Sequence, residues 1–230
     1  LKLGKARNKA IEKASGELIA FLDSDDLWLP KKLEKQIPLF NFDKVGIVAC
    51  DTIFFDNEGR TQQNYKIDKP KNGYIFKNLL KNYNLSLETI IIKKKYLKIN
   101  NIKFNENFEM IEELDLILAL SLKCRFEFVD QVLAKWRSHK DSWSWKKQCS
   151  FPVEKKILAA KLKKDIKNFD QEYKKEFYYF ERGYHLEESV CLLKKNYKNK
   201  ARENINRYKF DGLKWLLFYL CCFFNYSFYQ

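Results

Sequence analysis

The chain has no Cys-x-x-Cys pair, no run of about 20 apolar residues and only two histidines among its 230 residues. Each absence excludes something. Six cysteines, at 50, 124, 149, 191, 221 and 222, show neither zinc-finger nor disulfide-framework spacing, so reduced thiols are expected. The apolar stretch after Lys214 is shorter than the ~20 residues that a membrane-spanning helix requires. No RNP-like aromatic motif accompanies the basic balance of +14, so nucleic acid is not an expected partner. The chain starts at Leu1 and not at Met, so the lack of a leader pattern there carries little weight.

What is present is a folding composition. Apolar residues make up 46% and aromatic residues 16%, which excludes a disordered chain. At this length one domain plus an extension is expected. The charge is uneven: residues 146–214 hold 19 Lys and Arg against 10 Asp and Glu, a local balance of +9. Such a surface attracts anions, including an anionic membrane face, although lysine-rich usage also arises from composition bias alone.

The most informative stretch is Leu18-Ile19-Ala20-Phe21-Leu22-Asp23-Ser24-Asp25-Asp26. An apolar run bounded by Gly16 reads as a buried strand over 18–22, and three carboxylates crowd its end. Like charges so close repel unless a cation or a wet cleft sits against them. Oxygen ligands at i and i+2 can reach one divalent ion, Mg²⁺ or Mn²⁺, whose shell a phosphate completes. Asp-rich turns are also common without any metal, and Asp26 equally suits a helix cap ahead of Pro30.

The remaining pattern is mixed. A helix is expected over 4–14, another from Pro30 to about Ile37, and a strand over 45–50 extending through 52–55. Asp56-Asn57-Glu58-Gly59 reads as a turn and 60–72 as a loop. A short helix over 75–82, a strand over 88–92 and a helical turn over 94–99 follow. Residues 110–123 read as a buried helix with Glu112 and Glu113 in its first turn, and 126–129 and 132–136 as two late strands. Beyond Phe151 the pattern is helical and basic. The tail 213–224 reads either as a membrane-surface helix with aromatic anchors or as a helix packed on the rest of the chain.

The segment Gly4-Lys5-Ala6-Arg7-Asn8, the run Ser15-Gly16-Glu17 into the acidic loop, and Trp28-Leu29-Pro30 with Lys32-Leu33-Glu34-Lys35-Gln36 together resemble family 2 glycosyltransferases, inverting nucleotide-sugar enzymes of GT-A fold. Glu112-Glu113-Leu114-Asp115 resembles that family's acidic segment, whose second acid is the general base. Trp136-Arg137-Ser138-His139 resembles its late aromatic-Arg-x-His element. The resemblance spans residues 3 to 145.

The resemblance implies an α/β, incomplete GT-A fold over 1–145 and a basic helical extension over 146–230. It implies Asp23, Asp25 and His139 as metal ligands, and Arg7, Asn8, Asp23, Asp26, Arg137 and His139 as donor-site groups. It implies Glu113 as base, where the family usually has Asp; Glu112 and Asp115 are the neighbouring candidates. The expected cofactor is a divalent metal (Mn²⁺ or Mg²⁺), and the donor a nucleotide-diphosphate sugar, a UDP-sugar foremost. The acceptor is a saccharide or a lipid-linked hydroxyl, and the setting cytoplasmic, peripheral at the inner membrane face. Trp143 and Trp145 suit a loop near the acceptor. The family's first two βα units, about 60–80 residues at about 30 per unit, have no counterpart here, so an N-terminally incomplete enzyme is expected. A catalytically inactive remnant and a sugar- or membrane-binding module remain the alternatives.

Overall fold

The computed structural model describes residues 2–64, 69–139 and 141–223. They form two compact units that divide between Ser142 and Trp143.

The first unit is built on β3 (Val45–Phe55). Its first eight residues are all buried, as a strand covered on both faces requires. It pairs with β5 (Ile91–Lys93) antiparallel on one side and with β6 (Arg125–Arg137) parallel on the other. Outside these lie β1 (Leu18–Ala20), antiparallel to β5, and β2 (Leu27–Trp28), antiparallel to β6. The order is therefore β1-β5-β3-β6-β2, with β4 (Thr61–Gln63) added antiparallel to the far end of β3. The helices are α1 (Leu3–Lys13), α2 (Lys32–Gln36), α3 (Phe76–Lys81), α4 (Lys94–Ile99) and α5 (Glu112–Ser121).

Several sequence expectations change. The two late strands are one strand: the register of β3 against β6 slips around Asp51, and Asp130 and Gln131 bulge out where the sequence reads as a break. The expected strand over 88–92 begins only at Ile91. Leu87–Thr89 is a 3₁₀ turn, closed by Ile90 N–H to Leu87 O at 3.0 Å and Thr89 Oγ1 to Ser86 O at 2.5 Å. The helix after Pro30 tightens at Pro38 into a 3₁₀ segment, Ile37–Asn41. Strand β1 stops at Ala20 because Phe21 turns to pack edge-on against Phe104 at 5.7 Å. Within the expected loop over 60–72, Thr61–Gln63 forms β4 across a turn that Asp56 Oδ1 closes by accepting from Glu58 and Arg60 N–H; residues 65–68 lie outside the described residues.

The second unit is helical: α6 (Trp143–Lys146), α7 (Ser150–Asp165), α8 (Phe169–Glu172), α9 (Lys174–Lys194), α10 (Lys198–Ile205) and α11 (Leu213–Cys221). Leu193, Ala201, Ile205, Tyr208 and Cys222 form a buried cluster, with Trp215, Phe218 and Tyr219 packed on it. Lys155–Glu187 and Lys156–Glu188 tie α7 to α9. His185 hydrogen-bonds Asn204 at 2.6 Å, and Asn204 in turn donates to Ser189 Oγ, so this histidine is part of the packing. The expectation of six reduced cysteines is corrected at one pair. Packing brings the start of α7 beside the end of α9, and Cys149 and Cys191 are disulfide-bonded across 42 residues of sequence. Among the described residues no helix is long and apolar enough to cross a membrane.

Gly46 is the tightest point of the sheet. A Cβ there would lie 2.4 Å from Cys124 Sγ and 2.7 Å from the Tyr96 ring. Gly46→Ala should therefore destabilise the chain by about 1–3 kcal/mol through overpacking, read as a fall in the urea midpoint.

Candidate functional site

The site is assembled by one guanidinium. Arg7, on the second turn of α1, donates from Nη1 to Glu112 Oε1 at 2.8 Å and from Nη2 to Asp23 at 3.0 and 3.2 Å. Three segments far apart in sequence meet there: α1, the loop after β1 and the first residue of α5. Arg7 and Glu112 are both nearly buried, whereas the Asp23 side chain is half exposed. A planar fork suits this bridging of two carboxylates.

Glu113 follows Glu112 at about 100° around the helix and is partly buried. Its carboxyl is pushed up to about 8, first by burial, then by the charge of Glu112, with Arg7 opposing and Glu88 and Asp23 adding. Asp26 is pushed up to about 7 by burial, opposed by the hydrogen bond from the Arg137 backbone N–H at 2.9 Å. Glu88 is raised by burial, and its Oε2 accepts from Ser86 Oγ at 2.7 Å. Six carboxylates, Asp23, Asp25, Asp26, Glu88, Glu112 and Glu113, thus act on one another around the end of β1.

The end of β6 closes the other side. His139 Nε2 lies 3.1 Å from Asp25 Oδ2. Arg137 donates from Nε to Asp25 O at 3.1 Å and from Nη1 to Asn57 at 3.1 Å, with its guanidinium 4.4 Å from the Phe55 ring centroid.

Of the residues singled out in sequence, Arg7, Asp23, Asp25, Asp26, Glu113, Arg137 and His139 all border this cluster. Asn8 is engaged by the loop before α5. Its Nδ2 donates to Phe104 O at 2.9 Å and to Glu106 at 3.2 Å, and its Oδ1 accepts from Phe104 N–H at 2.9 Å. With both ends of the amide engaged, Asn8 pins the loop that leads into α5. Asp26 likewise spends one oxygen holding the end of β6. The expected metal set divides: Asp25 and His139 are together, whereas Asp23 is held by Arg7. Among the described residues no three His, Cys, Asp or Glu side chains form a metal-holding group. Trp143 and Trp145 lie in the second unit with exposed rings.

Two participants were not foreseen. Glu88 sits within an apolar run, and a carboxylate in such a run was the available signal. Lys32 is fully buried with no hydrogen-bond partner for Nζ, which rests 4.6 Å from the Trp28 ring centroid. Its ammonium is pulled down to about 8 by burial, against the charges of Cys50 and Glu88.

Removing the Arg7 fork leaves Glu112 buried and unpaired. Arg7→Met should destabilise the chain by about 3–5 kcal/mol in urea titration, the range for breaking a buried pair. The double change with Glu112→Met should recover much of that loss; an additive double change would mean the pair is not coupled.

Residues 1–98 match the profile of Glycosyl transferase family 2. An uncharacterized glycosyltransferase of Methanocaldococcus jannaschii is 30% identical over 136 residues, covering 58% of this chain and 46% of that protein. The Escherichia coli UDP-Glc:alpha-D-GlcNAc-diphosphoundecaprenol beta-1,3-glucosyltransferase WfgD is 33% identical over 120 residues, covering 51% of this chain and 42% of its own length. The chain thus spans less than half the length of these relatives. The crystal structure of S. aureus TarS 1-349 with UDP superposes with a TM-score of 0.54 at 20% identity, covering 77% of this chain and 49% of that one, a likeness of fold. Residues 1–98 thus carry the pattern of glycosyl transferase family 2, and the chain has a GT-A-like α/β fold with a helical C-terminal region.

Proposed function

We propose that this chain carries the catalytic face of an inverting glycosyltransferase that moves a sugar from a nucleotide diphosphate to a hydroxyl. The observation that carries the reading is Glu113. It is the one carboxylate of the α5 start that keeps partial exposure, since Glu112 is committed to Arg7 and Asp115 is buried. Its raised affinity for a proton is what a general base requires.

In this reading Glu113 takes the acceptor hydroxyl's proton while the oxygen attacks the anomeric carbon. The bond from that carbon to the diphosphate breaks on the opposite face, its electron pair leaves with the nucleoside diphosphate, and configuration inverts. Arg7 holds Asp23 and Glu112 in place. Arg137 and Asp26 fix the loop that carries Asp25. A divalent ion would be held by the Asp25 carboxylate, which suits Mn²⁺ or Mg²⁺, with the His139 imidazole beside it favouring Mn²⁺ of the two and donor phosphate oxygens filling the rest. Such an ion, when bound, offsets charge on the leaving diphosphate.

The names of relatives favour a UDP-sugar donor and a lipid-diphosphate-linked saccharide acceptor. A putative teichuronic acid glycosyltransferase of Bacillus subtilis, 47% identical over 53 residues, favours surface-polysaccharide assembly. The proposed setting is the cytoplasmic face of a bacterial membrane.

Asp25→Asn should abolish Mn²⁺-dependent binding of UDP in calorimetry while leaving the fold intact; equal binding by the variant refutes the ion site.

Glu113→Gln should lower turnover by about 10²–10⁴-fold with little change in donor affinity. In wild type, activity should rise with pH through about 8 as Glu113 ionises, and the variant should lack that limb. Stability moves in the opposite direction. A carboxyl that binds its proton more tightly when folded contributes stability that is full at acid pH and lost as pH rises through about 8. The thermal midpoint of Glu113→Gln relative to wild type should therefore increase from pH 4.5 to pH 8.5. A flat difference would mean Glu113 is ordinary in acidity.

A further inference from the structure

The second unit carries an apolar stripe that its own core does not use. Phe210, Leu213, Leu217, Leu220 and Phe223 are between 45% and 82% exposed. Their spacing of three and four places the four from Leu213 on along one side of α11 and its exit, with Phe210 just ahead of the helix. The opposite side is occupied: Trp215, Phe218 and Tyr219 pack on the buried cluster around Tyr208. The stripe is therefore surplus to folding of this unit.

Cations bracket the stripe. Lys209 Nζ lies 5.1 Å from the Phe210 ring centroid and 5.3 Å from that of Tyr219. The Arg202 guanidinium lies 4.3 Å from the Phe223 centroid, at the far end, and Lys214 is exposed on α11 itself. Residues 194–214 hold eight Lys and Arg against two acids, a balance of +6. One of those acids, Asp211, is held by Arg182 at 2.9 Å and by Tyr178.

We propose that this face of α11 docks on an anionic lipid bilayer. The helix would lie in the interface plane, with its leucines in the acyl boundary, Phe210 and Phe223 at its ends, and Lys209, Lys214 and Arg202 reaching the phosphates. The shape and charge select this occupant. A convex helix face with basic groups at both ends complements a planar apolar layer under negative headgroups. A second copy of the same face would bring like charges together. The docking is carried by the second unit alone and does not depend on the proposed sugar transfer.

Flotation of the 230-residue chain with vesicles tests it, because aggregates sink while bound chain rises. The chain should float with phosphatidylcholine–phosphatidylglycerol vesicles, stay below with phosphatidylcholine alone, and release as salt shortens the screening length. Leu213→Ser with Leu217→Ser should weaken binding by about tenfold or more through lost apolar burial. Lys209→Gln with Lys214→Gln should weaken it and flatten its salt dependence. Circular dichroism checks each variant; should the serine variant unfold, the lysine variant and the lipid comparison decide. No flotation on anionic vesicles, equal flotation on neutral ones, or wild-type flotation by both double variants overturns the proposal. So does a dimer in sedimentation equilibrium that the serine variant dissociates without any vesicle binding.

Discussion

Charge compensation by Arg7 is the constraint on which the first unit depends. Six carboxylates gather where β1 ends, and Arg7 reaches into their centre. Gathering acids raises the energy of each, and the cluster relieves this in three ways. Arg7 sets its single positive charge between Asp23 and Glu112. Lys32 offers a buried positive charge to Glu88 from below. Asp26 and Glu113 hold protons more tightly, to about 7 and about 8. The net charge of the cluster at neutral pH is therefore smaller than its count of acids.

The sheet serves this arrangement by geometry. Strand β3 is buried along most of its length and sets β6 parallel to it, so the C-terminal ends of both strands lie on the same side. The bulge at Asp130 and Gln131 lets a strand of 13 residues follow one of 11. Beyond it, β6 reaches far enough for Arg137 to grip the backbone of Asp25 and for His139 to meet its carboxylate. On the other side Asn8 clamps Phe104, which fixes where α5 begins and hence where Glu112 and Glu113 stand. Neither clamp touches a reacting atom in the proposed scheme, yet each decides where such an atom's partner would be.

Legibility in the sequence followed local physics. Helices 3–13 and 94–99, the central strand and the turn at Asp56–Gly59 were readable, because apolar period and turn chemistry act over a few residues. The clustering of Arg7, Asp23 and the α5 acids was readable only through family resemblance, since no local rule links positions 7, 23 and 112. What failed were features set by tertiary partners. Asn8 stands beside Arg7 in sequence, but neighbours on a helix point to different faces, and its face meets Phe104. Thr61–Gln63 has no apolar pattern and is a strand only because β3 offers it an edge. Cys149 and Cys191 are 42 residues apart, and only the packing of α7 on α9 brings them together. Lys32 gave no signal because lysines in short helices are ordinarily solvated; its burial comes from Trp28 and the sheet beneath.

The start of α5 shows how two adjacent identical residues take different duties. One helical step turns the side chain by about 100°, so Glu112 and Glu113 cannot share a partner. Glu112 meets Arg7 in a buried ion pair, which fixes the helix to α1 and to the acidic loop at once. That pair leaves Arg7 only a partial, through-space hold on Glu113, and the fixed negative charge of Glu112 pushes the other way. Glu113 is left partly buried, held in position by its neighbour's bond and raised in proton affinity by its neighbour's charge. Exchanging their roles would require a rotation that also breaks the bond to Arg7. The register of α5, which follows the loop that Asn8 pins at Phe104, therefore decides which acid is structural and which is left for chemistry.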